Sequence, residues 1–599
     1  MGAKLPNTSE IKLYDPCLGA KLPNTSEIKL YDPCLGAKLL NTPQIQAKMK
    51  INNYILIFLG LAILILWQAL LPGYIFGLDM IFGSEMNVNL NTDGFLNALP
   101  VNYLIYFLSL IIPAWLVQKI ILLVLFFNIG YLAFKYLPIG ENNEARLFSA
   151  LIYLANPFVY SRFLAGQWTH LMAYAFLPLF LHYLLKLRES IDFKAIIRVL
   201  AVIFLISLFS VHFFVITCLI FACFLVFLVF SWFLQKKQVE IKVLAKNLMI
   251  GGLMLLISIG YWVIPALNRS NPIEQRIGIN HWQGFSASGY KNIDVFWNVL
   301  SLNGFWGERN TWANYFLWPQ DNAFFWISFA LIICLIILGF KYALKSSKTR
   351  FLAVFVSIMS ICCFVFATGA GNTIFKQFNI WLFENIPFWS GFRDSQKFSG
   401  ILALGYAIFA GFGFQTAWEY FKNKGQNSLN IFLGFVFLIP IVFGFLVWGG
   451  FHKQVQAVWY PESWFEAKQI IENDKSDFKV LFLPWHGYYS LEVNNNLVSA
   501  NPARRFFGQK IISSRSVEMN GIYDQESDKN YLALDELIRS ENIDNEKILD
   551  IFFDEYKIKY IVYSHDLIGV DNLHYNFLSS SKLEKELDKS EISVFEIKP

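Results

Sequence analysis

The stretch "IPFWSGFRDSQKFSGILALGY", residues 386–406, decides how the chain is read. An aromatic turn runs into Arg393, Asp394 and Lys397, then directly into an apolar segment. Charges at the mouth of such a segment have meaning only if the segment crosses a membrane. The composition says that it does. The 599 residues are 55% hydrophobic and 16% charged, with a mean hydropathy of +0.44. Soluble chains of this size carry far more charge. Several segments run 18 or more residues almost without charge, enough for a hydrocarbon core of about 30 Å.

Working outward, apolar spans are expected near 54–71, 119–137, 147–163, 169–186, 198–211, 213–234, 245–267, 323–340, 351–368, 398–418 and 430–449. A further segment, 101–117, is ambiguous. Basic residues collect in short cytoplasmic loops. With the N-terminus inside and 101–117 not crossing, Lys186/Arg188/Lys194, Lys236/Lys237/Lys242, Lys341/Lys345/Lys348/Arg350 and Lys422/Lys424 all fall on the cytoplasmic side. The prediction is a polytopic α-helical protein of about eleven spans. Splitting 198–234 at "SVH" is required because about 37 residues exceed one ordinary span.

The expected organisation has three parts. Residues 1–48 hold "GAKLPNTSEIKLYDPCL" twice, at 2–18 and 19–35, and the start of a third copy. Two or three short polar units cannot bury a core, so a disordered leader is expected, with Met49 as the functional start. Residues 49–450 form the multi-spanning domain, with outer loops 72–118, 269–322 and 369–397. Residues 451–599 read as an extracytoplasmic α/β domain. "FKVLFLPW" and "IKYIVYS" have strand composition, while "NYLALDELIRS" and "EKILDIFFDEY" have helical periodicity. The seven cysteines show no metal-ligand or disulfide spacing. A P-loop and an HExxH motif are missing, as is any basic tract for nucleic acid.

On this topology the conspicuous polar residues gather at the outer face. Asp79, Glu85 and Asp93 lie in the first outer loop. Arg162, Gln167 and His170 lie in the turn between the third and fourth spans, His212 between the fifth and sixth, and Arg393, Asp394 and Lys397 before the tenth. Ionisable groups at membrane depth are costly and therefore functional candidates. Each has a plainer alternative. Asp79 could cap a helix, Arg162 could snorkel, the histidines could be satisfied interior groups, and Arg393 and Lys397 could simply pair with Asp394. The functional alternative is a substrate with a phosphate at the membrane surface. Arginine and lysine (Arg393, Lys397, Arg162) would bind that phosphate. Asp79 would be general base on an acceptor hydroxyl, and Gln167, His170, His212, His281, Trp306 and Asp394 would line the substrate. A lipid-linked glycan flippase or a non-catalytic scaffold remains the alternative function.

The stretches "PGYIFGLDMIFG" (72–83), "NPFVYSRFLAGQWTHLMAYAFLPL" (156–179) and "FWSGFRDSQKFSG" (388–400), with "VLFLPWHGYYS", "IKYIVYSHD" and "ISVFEIKP" in the tail, carry a resemblance. The chain resembles the GT-C fold integral-membrane glycosyltransferases, in particular YfhO-like, arabinofuranosyltransferase-like and 6-pyruvoyl-tetrahydropterin synthase-related membrane proteins. The resemblance implies a hexosyl or pentosyl transferase of the plasma membrane. Its donor would be a polyprenyl-phosphate-linked sugar and its acceptor a cell-envelope glycan, glycolipid or protein. It implies Asp79 as catalytic base or metal-site residue, with Glu85 or Asp93 as a second acid. Some members need a divalent cation, Mg or Mn, and others do not, so the resemblance leaves a cofactor open.

Overall fold

The structure, a computed structural model, describes residues 43–88, 95–236, 238–269, 277–309, 316–514, 516–519, 522–524, 529–540, 543–568 and 575–598. The chain divides into two units, Met1–Gly60 and Leu61–Pro599. Residues 1–42 of the expected leader lie outside the described residues. Residues 43–48 depart from expectation, since they open the helix Pro43–Leu66. Proline suits the first helical position, and the Gln, Ala, Lys and Met that follow favour helix.

Among the described residues ten helical segments are long and apolar enough to cross a bilayer. They match ten of the eleven expected spans. The eleventh is the helix Phe193–Phe209, whose 17 residues reach about 25 Å at about 1.5 Å per residue. The ambiguous segment forms only the helix Leu99–Ser109 of 11 residues, about half the core thickness. The reading that leaves it uncrossed agrees with that length.

Local chemistry sets the breaks. Asn156 caps the helix Pro157–Leu164 by accepting from the Val159 N–H, and Pro157 follows it as first helical residue. Ser210 does the same for the helix Val211–Leu234 through the Phe213 N–H, which divides 198–234 at the expected place.

The helix Ser399–Asn423 is one of the two most buried spans. Every residue from Ser399 to Phe414 is buried. A Cβ on Gly339 would strike the Phe409 carbonyl, and one on Gly413 the Leu335 carbonyl. Helices 323–345 and 399–423 thus approach backbone to backbone through small residues, as membrane helices do. This helix begins two residues past Lys397, so the charged turn stands on rigid ground. Helices 323–345 and 426–443 leave an apolar groove of about 560 Å³ between them, lined by Phe324, Ile327, Leu331, Phe432, Phe435 and Val442.

The C-terminal region holds a five-stranded sheet in the order Ile511–Ile512, Lys479–Leu483, Ile558–Ser564, Ile592–Ile597, Leu583–Asp588. The first three strands are parallel and the last two pair antiparallel. Leu534 and Ile538 from helix Lys529–Arg539, with Leu549 and Phe552 from helix Asn545–Asp554, bury against Leu481, Leu483 and Ile561. Trp464 of helix Glu462–Asn473 packs on Phe482 and Phe507. A separate three-stranded sheet carries Tyr488–Leu491 between Leu497–Ala500 and Leu567–Ile568. The expected strands and helices of the tail are all present.

Candidate active site

Asp79 sits in a loop held on three sides. Gln118 of helix Ala114–Tyr136 exchanges two hydrogen bonds with the Ile75 backbone, at 2.9 and 2.7 Å. The Leu78 and Asp79 N–H groups donate to the Leu164 and Ala165 carbonyls at 3.3 and 3.0 Å. From the C-terminal region, the Ala500 N–H donates to the Leu78 carbonyl at 2.7 Å. This close approach requires glycine at 166. Its φ is +74°, and a Cβ there would collide with the backbone of Asp79 and Met80.

The Asp79 carboxylate accepts from the Tyr488 hydroxyl at 3.0 Å and the Gln167 amide at 3.4 Å. Its side chain is open to solvent, with protein atoms close around it. Burial pushes its pKa up. The Tyr488 and Gln167 hydrogen bonds and the Lys397 ammonium pull it partly back, while the Asp394 carboxylate adds to the rise.

Gln167 leads from Asp79 to a buried ion pair. Its side-chain oxygen accepts from Arg162 Nη1 at 2.8 Å. Arg162 is fully buried. It forks onto Asp394 through Nη1 and Nη2 and donates to Gln396 Oε1 through Nε and Nη2. Its guanidinium also lies over the Phe305 ring at 4.8 Å. All five N–H donors are thereby occupied. The expectation that Arg162 binds a donor phosphate is therefore corrected, because no N–H remains for one. Arg162 instead holds Asp394, Gln396 and Gln167 in place. Burial raises the Asp394 pKa, but Arg162 and Lys397 outweigh it and keep the carboxyl below its usual range.

Lys397 Nζ lies 3.7 Å from Asp394 Oδ2 and 3.2 Å from His212 Nε2. The same His212 nitrogen is 3.0 Å from the Gly391 carbonyl. One tautomer can donate to that carbonyl or accept from Lys397, but not both. His170 Nδ1 contacts the Ser210 hydroxyl at 2.9 Å, and its ring stacks on Phe213 at 4.2 Å. Arg393 places its guanidinium 4.3 Å from the Phe285 ring centroid, and Phe285 meets Trp306 edge-on at 4.8 Å. The structure thus joins Asp79, Gln167, Arg162, Asp394, Lys397 and His212 in one polar chain. Arg393 and Trp306 share an aromatic shelf. His281 lies one helical turn before Phe285 on the helix Ile279–Phe285, and no described contact ties it to Asp79.

Glu85 turns away from Asp79. Glu85 pairs with Lys468 at 2.8 Å and accepts from Asn87 at 2.8 Å, so it serves as an anchor to the C-terminal region. Asp93 lies outside the described residues. The sequence reading missed Glu308. It is buried, accepts from the Gly304 N–H at 3.2 Å, and has its pKa pushed up to about 8 by burial, against the pull of Gly304, Phe305 and Arg162. It stands in a glycine- and tryptophan-rich loop with no periodicity to mark it.

Around Asp79 the described neighbours are a hydroxyl, an amide N–H and an ammonium. Among the described residues the one grouping of three metal-capable side chains is Glu584, Glu586 and Glu596, on the last two strands of the large sheet.

Comparison with solved structures supports the architecture. The arabinofuranosyltransferase AftD from Mycobacteria matches over 92% of this chain with a TM-score of 0.59 at 12% identity. A second AftD structure matches with a TM-score of 0.57 over 92% at 12% identity. The chain has the GT-C fold. It spans 40% and 42% of the length of those two chains. The apo oligosaccharyltransferase of Archaeoglobus fulgidus matches with a TM-score of 0.41 at 12% identity, over 86% of this chain and 69% of that one. No protein-family model matches the sequence, and no curated protein matches it.

Proposed function

We propose that this GT-C protein is a membrane glycosyltransferase. It would move a sugar from a polyprenyl-phosphate donor to a hydroxyl of a cell-envelope glycan, glycolipid or protein on the outer side of the plasma membrane. The observation that supports the reading is the polar chain that runs from the Asp79 carboxylate through Gln167, Arg162 and Asp394 to the Lys397 ammonium at the head of the helix Ser399–Asn423. In the proposed step the acceptor oxygen attacks the anomeric carbon and gives its proton to Asp79. The bond from that carbon to the phosphate oxygen breaks, and the polyprenyl phosphate departs. Lys397 and Arg393 stabilise the charge that develops on it. Lys397 lies 3.7 Å from Asp394, an ion pair too long to fix an ammonium hydrogen, so the ammonium can turn a donor toward a phosphate oxygen. Glu85 and Asp93 are not needed for this step.

The test uses purified protein in nanodiscs with labelled polyprenyl-phosphate sugars and envelope-glycan acceptors. Transfer is expected for the wild type, with a loss of about a hundredfold or more in Asp79→Asn. Lipid translocation without transfer, unaffected by Asp79→Asn, would replace this reading with the flippase.

A further inference from the structure

The C-terminal region does more than lie against the membrane helices. The strand pair Tyr488–Leu491 and Leu497–Ala500 places Tyr488 opposite Ala500. Ala500 is the residue whose N–H bonds the Leu78 carbonyl at 2.7 Å, one position before Asp79. The tyrosine hydroxyl therefore meets Asp79 at 3.0 Å through a backbone-defined register.

A set of latches fixes the same loop on its far side. The Tyr460 hydroxyl donates to the Phe82 carbonyl at 2.9 Å. The Ser84 hydroxyl donates to the Phe506 carbonyl at 2.9 Å, and the Glu85 N–H to the Arg505 carbonyl at 2.8 Å. Lys468 reaches both Ser84 and Glu85 at 2.8 Å. These latches would suffice to dock the region. The contact at residue 488 is different, because its acceptor is the side chain of Asp79.

We propose that Tyr488 is a positioning residue for Asp79, so that the C-terminal α/β region completes the membrane site instead of only covering it or receiving the acceptor. The proposal rests on the reading of Asp79 as base. A carboxylate with two oxygens can present either to a substrate. With Gln167 on Oδ2 and Tyr488 on Oδ1, its plane is fixed. The hydroxyl also favours the ionised form, the one that accepts a proton. The charged and titratable groups acting on Asp79 are Tyr488, Lys397 and Asp394, with Gln167 as the neutral partner. Tyr488 is the member of that set supplied by the C-terminal region, 409 positions along the chain.

The test compares the full-length wild type with Tyr488→Phe and Lys468→Met. A hydrophobic carbodiimide labels protonated carboxyls, so the pH at which Asp79 labelling disappears, read by peptide mass spectrometry, reports its protonation without any activity. In Tyr488→Phe, loss of the donor disfavours the carboxylate, and labelling should persist to higher pH than in the wild type. The acidic limb of the transfer rate should move the same way. The kcat should fall about tenfold, the size of one lost charge-assisted hydrogen bond, with little change in donor KM. Lys468→Met weakens a latch and should leave the labelling curve in place. An unchanged labelling curve in Tyr488→Phe overturns the proposal, as does an equal shift in Lys468→Met. If labelling shifts while Asp79→Asn still transfers sugar, the positioning stands and the assignment of Asp79 as base falls.

Discussion

Two sets of ion pairs in this chain use the same residue types and differ in what they do. At the head of the helix Ser399–Asn423, Arg162, Asp394 and Lys397 form one chain, with side-chain exposures of 0%, 7% and 13%. On the C-terminal sheet, Lys559 bridges Asp474 at 2.6 Å and Glu596 at 3.2 Å, with exposures of 28%, 16% and 16%. The second set is reached by water and lies over a sheet whose own core supports it. The first is largely closed to solvent by the surrounding protein. Buried charges of this kind add little net stability over an apolar core but are costly to break. Their value here is geometry, because Arg162 spans Gln167 on one side and Gln396 on the other.

Breaking one partner separates the two sets most sharply. Arg162→Met leaves Asp394 buried beside Lys397 alone and should cost about 3–5 kcal/mol in detergent unfolding. A cost below about 1 kcal/mol would mean that water reaches the pair. Next in size is Gly166→Ala, which strains a left-handed position and pushes on the Asp79 backbone. It should cost about 1–3 kcal/mol and reduce transfer, measured by thermal unfolding and kcat. For the sheet, Lys559→Ala should change stability by about 1 kcal/mol or less, and added salt should shrink the difference further.

At Glu308 the expected effect is a pH dependence of stability. Its folded pKa of about 8 exceeds its ordinary value of 4.5. Between those two values the folded state holds a proton that the unfolded state has lost, so the wild type loses stability as pH rises through that window. Glu308→Gln removes that slope. The variant should match the wild type at pH 5 and exceed it at pH 8. A difference of opposite sign would show that Glu308 is ionised in the fold.

Sequence reading reached the spans because apolar length is a local property, and it split 198–234 at "SVH" because that run is too long for one span; it ran 147–163 as a single span and did not see the break that Asn156 makes. It expected Asp79, Arg393, Asp394 and Lys397 on one face from loop charge alone. It could not see that Arg162 spends its donors on Asp394 and Gln396, since that pairing joins positions more than 230 residues apart. Tyr488 was hidden for the same reason. In "HGYYS" it reads as an ordinary strand residue, and its partner lies in the first loop. Glu85 looked like a second catalytic acid because it is near Asp79 in sequence, while the fold turns it toward Lys468.

The most direct test of the central claim is a cryo-electron microscopy map of the protein with a polyprenyl phosphate bound. The account predicts phosphate density against the Lys397 ammonium and the Arg393 guanidinium, on the same side as the Asp79 carboxylate. Phosphate density elsewhere, for example at an end of the apolar groove between helices 323–345 and 426–443, with the Lys397 site empty, would contradict it.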